Sequence, residues 1–368
     1  MTPSRRIRVL IVDDSPLVRR ILEESLRKEP DIEVIATAPD PYVAREKILA
    51  LSPDVVTLDV EMPKMDGLSF LKRLMKHHPL PVILISSLAQ SGSQTALEAL
   101  RWGAVDVLAK PSGSHSASFA EGQLAAKIRA AAEARIPTPY AEPKPVVPAP
   151  QGFQAQGNRR HLLVIGSSTG GPPALEVVLS AFGAQCPPIL IAQHIPAGFS
   201  LSLAKRFDQQ FPMEVREATS GDLVEPGKVF IAPGNLHMVV EPSAQGLRVK
   251  VKDGPLVRYQ RPSVDVLFHS VARHAGRDAV AAILTGMGND GAEGLLAIRQ
   301  AGGWTLAQDE ASSTVYGMPR EAVRLGGAAE VVSLRQMAAR MDAALKRSSR
   351  EDSQPATHFP SNTSALVR

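Results

Sequence analysis

Short apolar segments alternate with amphipathic segments along most of this chain, and this alternation constrains the fold more than any other feature. In the first 110 residues and just beyond, the pattern predicts five strands and five helices. The strands are 8–12, 33–36, 54–58, 82–85 and 105–108, and the helices are 17–28, 41–51, 67–77, 94–101 and 118–135. Continuously apolar strands that alternate with helices indicate a parallel sheet covered on both faces. We therefore expect a small doubly wound α/β domain.

The composition then changes abruptly. Six prolines lie between Pro137 and Pro150, and a stretch rich in glutamine and glycine follows. Such a segment predicts a linker rather than a packed unit. A second alternating unit comes next, with predicted strands at 162–165, 189–192, 229–232, 280–284 and 304–307. We expect a doubly wound, mostly parallel α/β domain there. The predicted organisation is a first domain over 1–125, a helix end and linker over 126–160, a second domain over 161–346 and a disordered tail over 347–368.

Composition narrows the class of protein. No apolar run approaches the ~20 residues that a membrane-spanning helix needs, and the N-terminus lacks a signal-peptide cleavage pattern. The single cysteine, Cys186, cannot form an internal disulfide, which favours the reducing cytoplasm. The net charge of +4, from 41 basic and 37 acidic residues, gives no reason to expect nucleic acid. We expect a cytoplasmic monomer that does not insert into membranes.

Acidic side chains collect at the ends of the first-domain strands. In an open parallel sheet the carboxyl ends of the strands form the functional edge, and here they carry Asp13, Asp14 and Asp59. Three adjacent carboxylates repel one another unless a hard cation neutralises them, which predicts a Mg²⁺ site. Asp59 could then accept a phosphoryl group, with Ser86 and Lys110 contacting its oxygens. The alternative is that each aspartate is a strand-end cap.

These segments resemble the receiver domain of two-component response regulators. The matching segments are 12–15 (VDDS), 58–67 (LDVEMPKMDG), 85–87 (ISS) and Lys110-Pro111. The resemblance covers residues 7 to about 125. It implies a flavodoxin-like five-stranded fold, Mg²⁺ bound at Asp13, Asp14 and Asp59, and phosphorylation of Asp59 by a histidine kinase. Many receivers carry an aromatic switch residue three positions before the lysine, where this chain has Val107, so we do not expect an aromatic switch.

The second domain opens with a strand that runs directly into a turn of serine, threonine and glycine and then a helix, at 161–173 (HLLVIGSSTGGPP). A serine in such a turn stands beside the free N–H groups of the helix start, which suits a nucleophile that needs an oxyanion hole. Residues 166–170 fit the G-x-S-x-G elbow and select Ser168. The alternative is an ordinary helix cap.

Two further strand ends supply partners for Ser168. His194 follows the predicted strand that we expect beside the first, and Asp290 follows a strand and a glycine loop. Asp290 is also an N-cap candidate for a helix that starts near Gly291. Together these residues predict a Ser-His-Asp triad. Their chain order differs from the Ser-Asp-His order of α/β-hydrolases, so the elbow does not imply that fold.

The same segments closely resemble the catalytic domain of the chemotaxis protein-glutamate methylesterase (CheB) family. They are 165–171 (IGSSTGG), 193–196 (QHIP) and 284–291 (LTGMGNDG), with 233–235 and 261–265 as further matches. With the receiver, the resemblance covers residues 7–346. It places the nucleophile at Ser168, although Ser167 stands where many members have alanine, so the choice between the two serines stays open. Thr169 and the backbone N–H of Met287 are candidates for oxyanion stabilisation.

The resemblance implies hydrolysis of glutamate methyl esters on the cytoplasmic helices of methyl-accepting chemoreceptors, and deamidation of receptor glutamines. It implies no cofactor in the catalytic domain. It also implies that the receiver covers the cleft until a chemotaxis histidine kinase phosphorylates Asp59, with the proline-rich linker as the hinge.

Two other functions are consistent with parts of the pattern. One is a non-enzymatic response regulator whose output domain binds protein in another chemosensory pathway. A DNA-binding output would show a basic recognition helix, and no such segment is visible. The other treats 166–171 as a nucleotide-binding loop, but that segment lacks the P-loop lysine and is not G-x-G-x-x-G.

Overall fold

A parallel sheet of five strands, in the order β2-β1-β3-β4-β5, forms the N-terminal domain of the computed structural model. The structure describes residues 5–63, 65–87, 90–110, 122–136, 152–154 and 162–347. The elements are β1 Ile7–Val12, α1 Pro16–Leu26, β2 Ile32–Ala38, α2 Pro41–Leu51, β3 Val55–Asp59, α3 Gly67–His77, β4 Val82–Ser86, α4 Gln90–Arg101, β5 Asp106–Ala109 and α5 Gln123–Ala132.

The predicted doubly wound fold is confirmed for this domain. Helices α2 and α3 have the predicted bounds, whereas α4 begins four residues earlier than predicted, at Gln90. Pro111, residues 118–121 of the last predicted helix, the linker prolines and the predicted tail beyond Arg347 lie outside the described residues. The domain boundaries that depend on them therefore stay predictions.

Strand β1 shows why an apolar run without alternation forms a central strand here. Leu10 and Val12 pack into one buried cluster, and Val9 and Ile11 pack into the cluster on the opposite face of the sheet. Both faces are thus covered by helices, as parallel sheets require. This arrangement leaves the strand ends as the accessible edge.

The C-terminal domain is built on a second parallel sheet, in the order β14-β13-β12-β6-β7-β9-β8. A separate antiparallel pair, β10 and β11, packs against helix α8. The elements are β6 Leu162–Ser167, α6 Gly171–Leu179, β7 Ile189–Gln193, α7 Phe199–Gln210, β8 Glu214–Glu217, β9 Lys228–Ile231, β10 His237–Ser243, β11 Gly246–Lys252, α8 Val264–His274, β12 Ala279–Ile283, α9 Ala292–Gln300, β13 Trp304–Gln308, α10 Met318–Arg324, β14 Glu330–Val332 and α11 Leu334–Lys346.

The position of β6 in this sheet fixes where the site can form. It lies between β12 and β7 and pairs in parallel with both, so the carboxyl ends of all three strands meet at one edge. The five strands predicted for this domain are present, and the mostly parallel α/β prediction is confirmed. Strands β8, β10, β11 and β14 were not predicted.

The two domains contact each other at several points. Helix α4 packs against α6 and α7, where Arg101 lies 3.3 Å from the buried carboxylate of Glu176. Arg206 donates to the Leu97 carbonyl at 3.0 Å. Within the described residues, no helix is long and apolar enough to cross a bilayer.

Candidate active site

The three strand ends bring Ser168, His194 and Asp290 to a single cavity of about 700 Å³. His194 Nε2 lies 2.7 Å from Asp290 Oδ2, and both side chains are buried. Neighbouring strand ends explain this grouping, since β6 precedes Ser168, β7 precedes His194 and the loop after β12 carries Asp290. Residues that are far apart in sequence thus place a serine, an imidazole and a carboxylate in one pocket.

One ring nitrogen of His194 accepts no hydrogen bond from the part of the chain that the structure describes. Nδ1 is buried and has no hydrogen-bond partner among the described residues, so the bond between His194 and Ser168 is not formed in this structure. With Nε2–H donating to Asp290, Nδ1 retains its lone pair and can act as a base. Catalytic hydrogen bonds of this type often form only when substrate is bound.

Asp290 is held by the start of helix α8. Its two carboxylate oxygens accept from Val264 N at 2.6 Å, Asp265 N at 3.1 Å and Ser263 Oγ at 2.8 Å. Burial by itself would raise the pKa of Asp290, but the hydrogen bonds with His194 and with the helix start lower it below its ordinary value. The carboxylate is therefore charged and fixed in orientation, as the third member of a triad must be.

The predicted N-cap role of Asp290 on the helix after it in sequence is wrong. Gly291, with φ of 88°, is the residue that precedes α9, and the side chain that accepts from the first turn of that helix is Asp265, which bonds to Gly294 N at 2.7 Å. The Asp290 side chain turns instead to the N–H groups of α8, which lies elsewhere in the sequence. Sequence-local capping rules cannot detect such a contact between distant elements.

The two serines of the turn have different surroundings. Ser167 is fully buried, and its hydroxyl donates to Gln193 Oε1 at 2.6 Å. Ser168 remains 6% exposed and lines the cavity. Gln193 also donates to the carbonyls of Ser168, at 2.9 Å, and His194, at 3.0 Å. The sequence reasoning missed Gln193, although a glutamine at the end of a buried strand was a visible signal.

Both oxyanion candidates line the cavity. The Ser168 N–H is already used, since it donates to the Thr285 carbonyl at 3.0 Å. In the part of the chain that the structure describes, the backbone N–H groups of Thr169 and Met287 donate no hydrogen bond. The Thr169 hydroxyl is occupied, because it donates to Asp106 Oδ2 of the N-terminal domain at 2.5 Å.

The acidic residues of the N-terminal domain form a second site. Asp13, Asp14 and Asp59 each place a carboxylate oxygen within 4.8 Å of the others, and Lys110 Nζ lies 2.7 Å from Asp59 Oδ2. Asp13 Oδ2 is buried without a hydrogen-bond partner among the described residues. Burial, and then the charge of Asp59, raise the pKa of Asp13 to about 6. Clustered carboxylates with a free buried oxygen fit a hard divalent cation such as Mg²⁺.

Two other residues of this site have defined positions. The Ser86 hydroxyl donates to the Gly92 carbonyl at 3.0 Å, so it does not point its proton at Asp59. Val107 is buried in the core beside the apolar residues of β4 and β5. Contact between Ser86 and a phosphoryl group stays a prediction.

Comparison with known proteins decides the family. The CheB methylesterase model matches residues 163–341, and the response regulator receiver domain model matches residues 9–117. The protein-glutamate methylesterase/protein-glutamine glutaminase of Salmonella typhi is 50% identical over 340 residues, which cover 91% of this chain and 96% of that protein. The chain belongs to the CheB methylesterase family.

The chain is also similar to a second relative and to a solved structure. A second protein-glutamate methylesterase/protein-glutamine glutaminase, from Syntrophus aciditrophicus, is 48% identical over 343 residues, covering 90% of this chain and 97% of that protein. The crystal structure of the Thermotoga maritima CheB methylesterase catalytic domain is similar to part of this chain, with 33% sequence identity and a TM-score of 0.48. The match covers 50% of this chain and 98% of that structure.

The family assignment favours an enzyme over the non-enzymatic regulator. A receiver domain implies phosphorylation, typically with Mg²⁺, and a kinase as phosphodonor. A methylesterase domain joined to it implies chemoreceptor substrates in general.

The contacts of Asp290 generate a stability prediction. Asp290→Ala removes the acceptor for buried N–H groups of α8, so we expect the free energy of unfolding of the C-terminal domain to fall by about 3 kcal/mol. Urea denaturation in a Trp102→Phe background measures this loss through Trp304 fluorescence. Ser168→Ala is the matched control, expected within about 0.5 kcal/mol of wild type. Equal losses in the two variants would contradict a structural role for Asp290.

Proposed function

We propose that this protein hydrolyses glutamate methyl esters on the cytoplasmic helices of chemoreceptors, and deamidates receptor glutamines, through Ser168, His194 and Asp290. The observation that carries the proposal is the 2.7 Å contact between His194 and Asp290 in the cavity that Ser168 lines. The names of the relatives support the substrate class. The protein would act as a cytoplasmic monomer.

The proposed reaction is an acyl transfer in two steps. Ser168 Oγ attacks the side-chain carbonyl carbon of the ester while His194 Nδ1 takes the hydroxyl proton. The carbon–methoxy bond then breaks, and His194 returns that proton so that methanol leaves. Water hydrolyses the acyl-enzyme by the same proton relay and releases a glutamate. With a glutamine substrate the first leaving group is ammonia.

The proposed oxyanion hole consists of the N–H groups of Thr169 and Met287. Both are free donors in the described structure and both residues line the cavity. Preorganised N–H donors stabilise the negative charge that develops on the carbonyl oxygen. Because His194 and Asp290 activate the Ser168 hydroxyl, the proposed mechanism needs no metal in this domain.

Substitution of each serine tests the nucleophile. We expect Ser168→Ala to reduce methanol release from methylated receptor membranes by about 10³-fold or more. Ser167→Ala is the matched control, and we expect its activity within about tenfold of wild type because Ser167 only bonds to Gln193. Methanol assayed by gas chromatography checks both. Near-normal activity in Ser168→Ala, or its loss in Ser167→Ala alone, would overturn the assignment.

The proposed control of this activity is steric cover by the receiver. Helix α5 lines the catalytic cavity through Gln123, Ala126 and Lys127. The residue before β5 contacts the turn that carries Ser168, since Gly170 N donates to the Val105 carbonyl at 3.2 Å. We infer that these elements keep a receptor helix from Ser168, so that the domains must separate for catalysis.

The Asp106 carboxylate of the receiver makes the shortest hydrogen bond to the turn that carries Ser168. It accepts from the Thr169 hydroxyl at 2.5 Å and lies 2.7 Å from Lys127 Nζ. Asp106 opens β5, and Lys110, which comes directly after that strand, pairs with Asp59. We propose that a change at Asp59 reaches Thr169 along this short strand.

Asp13, Asp14 and Asp59 would hold Mg²⁺, which when bound neutralises the carboxylates and the oxygens of an incoming phosphoryl group. An oxygen of Asp59 forms the new bond to phosphorus as the bond to the phosphodonor breaks. Lys110 and Ser86 would then contact the transferred oxygens. Loss of the bond between Lys110 and the free Asp59 carboxylate would release β5.

Phosphorylation supplies the next test. Acetyl phosphate with Mg²⁺ should raise methanol release by wild-type protein by about tenfold, a typical coupling between two sites. Asp59→Asn should abolish this rise, because the amide cannot form an acyl phosphate. The same assay measures both rates, and full stimulation of Asp59→Asn would contradict the proposal.

Removal of the Asp106 contact should have the opposite effect. We expect Asp106→Ala to raise the rate without phosphodonor by several-fold, since the receiver then loses its hydrogen bond to Thr169. Glu33→Ala, an exposed carboxylate of β2, is the control and should leave that rate unchanged. An unstimulated Asp106→Ala rate equal to that of wild type would rule out this contact as a restraint.

A further inference from the structure

A strained turn stands at the rim of the catalytic cavity. Val257 and Gln260 exchange two backbone hydrogen bonds, of 3.1 and 2.9 Å, around the central residues Arg258 and Tyr259. Those two residues have φ of 51° and 63°. Turns with positive φ at both centres ordinarily carry glycine, asparagine or aspartate. Two bulky side chains in this conformation strain the backbone.

The surrounding structure holds the turn in place. Arg258 Nε donates to Asp265 Oδ2 at 3.0 Å, and the Arg258 guanidinium lies 2.6 Å from Glu293 Oε1. Asp265 is itself buried and accepts from Gly294 N at 2.7 Å. Ion pairs to α8 and α9 thus hold this conformation without any contribution from substrate.

Arg261 holds the chain in place directly after the turn. Arg261 donates to Asn235 Oδ1 at 2.7 Å and to Asp253 Oδ1 at 2.6 Å. The loop therefore has fixed points both before and after the turn. Such bracing is what allows an unfavourable backbone conformation to persist.

Tyr259 does not offset this strain by packing. Tyr259 as a whole residue is 74% exposed, the largest exposed fraction among the exposed large hydrophobic residues in the described part of the chain. It lines the same cavity as Ser168 and His194. The chain thus holds an aromatic ring in solvent, in a strained turn, at the entrance to its catalytic site.

We infer that Tyr259 is a docking residue for the protein substrate and contacts the helix on either side of the esterified glutamate. This inference rests on the proposed function. For the ester to reach Ser168, the helix that carries it must lie across the rim of the cavity. An exposed aromatic ring on a rigid support gives apolar contact area with little loss of conformational entropy. A small ester has no flanking helix for Tyr259 to contact.

The first test separates docking from chemistry. In the presence of acetyl phosphate, we expect Tyr259→Gly to raise KM for methylated receptor membranes about tenfold, the size of an interface anchor, with kcat little changed. Hydrolysis of p-nitrophenyl acetate should stay at the wild-type rate. Tyr259→Phe should keep the wild-type KM, because the ring and not the hydroxyl makes the contact.

The second test relies on the backbone strain at Tyr259. Glycine adopts positive φ without steric cost, so Tyr259→Gly should raise the melting temperature while it weakens receptor binding. Ser52→Gly is the matched control, because Ser52 also has positive φ, 45°, but ends helix α2 in the receiver. We expect it to raise the melting temperature without any change in KM. A residue with a merely structural role would not improve stability and impair KM together.

Three results would overturn the inference. The first is an unchanged KM in Tyr259→Gly. The second is a loss of p-nitrophenyl acetate hydrolysis in Tyr259→Gly as large as its loss of receptor hydrolysis. The third is a loss of receptor binding in Ser52→Gly equal to that in Tyr259→Gly. Wild-type protein that releases no methanol in the same assay would instead show that the proposed function has failed.

Discussion

The hydrogen bond between Asp290 and His194 is the interaction on which the rest of the catalytic domain depends. Asp290 accepts hydrogen bonds from N–H groups at the start of α8, and it also holds the imidazole of His194 in one orientation. One carboxylate thus joins a helix to the sheet edge and orients the base. The parallel order of β12, β6 and β7 is what lets these groups meet. The Nδ1 atom of His194 has no hydrogen-bond partner among the described residues, and in the proposed mechanism it takes the proton of Ser168.

The receiver domain contacts the turn that carries Ser168. Asp106 accepts from the hydroxyl of Thr169, next to Ser168, while Lys110, directly after the other end of the strand, bonds to Asp59. A strand of four residues therefore begins at the contact with Thr169 and is followed directly by the lysine that bonds to Asp59. In the proposed control, a change in charge at Asp59 acts on the cleft through this strand without altering Ser168, His194 or Asp290.

Sequence patterns predicted the local features of the fold and those that sheet topology determines. The bounds of α2 and α3 and the grouping of Ser168, His194 and Asp290 were predicted because periodicity and strand ends carry that information. Contacts between distant elements were not predicted. The contact of Asp106 with Thr169 depends on how two domains pack, and a single sequence contains no local signal for it. The antiparallel pair β10–β11 had a visible signal in the alternating residues of Gly246–Lys252, which the sequence reasoning passed over.

The most direct test of the central claim is covalent labelling with a serine-directed fluorophosphonate and peptide mass spectrometry of the product. An activated hydroxyl attacks such a reagent, whereas an ordinary serine does not. We predict one adduct on Ser168, formed faster with acetyl phosphate and Mg²⁺ than without them. An adduct on Ser167, or no adduct on the phosphorylated protein, would contradict the account.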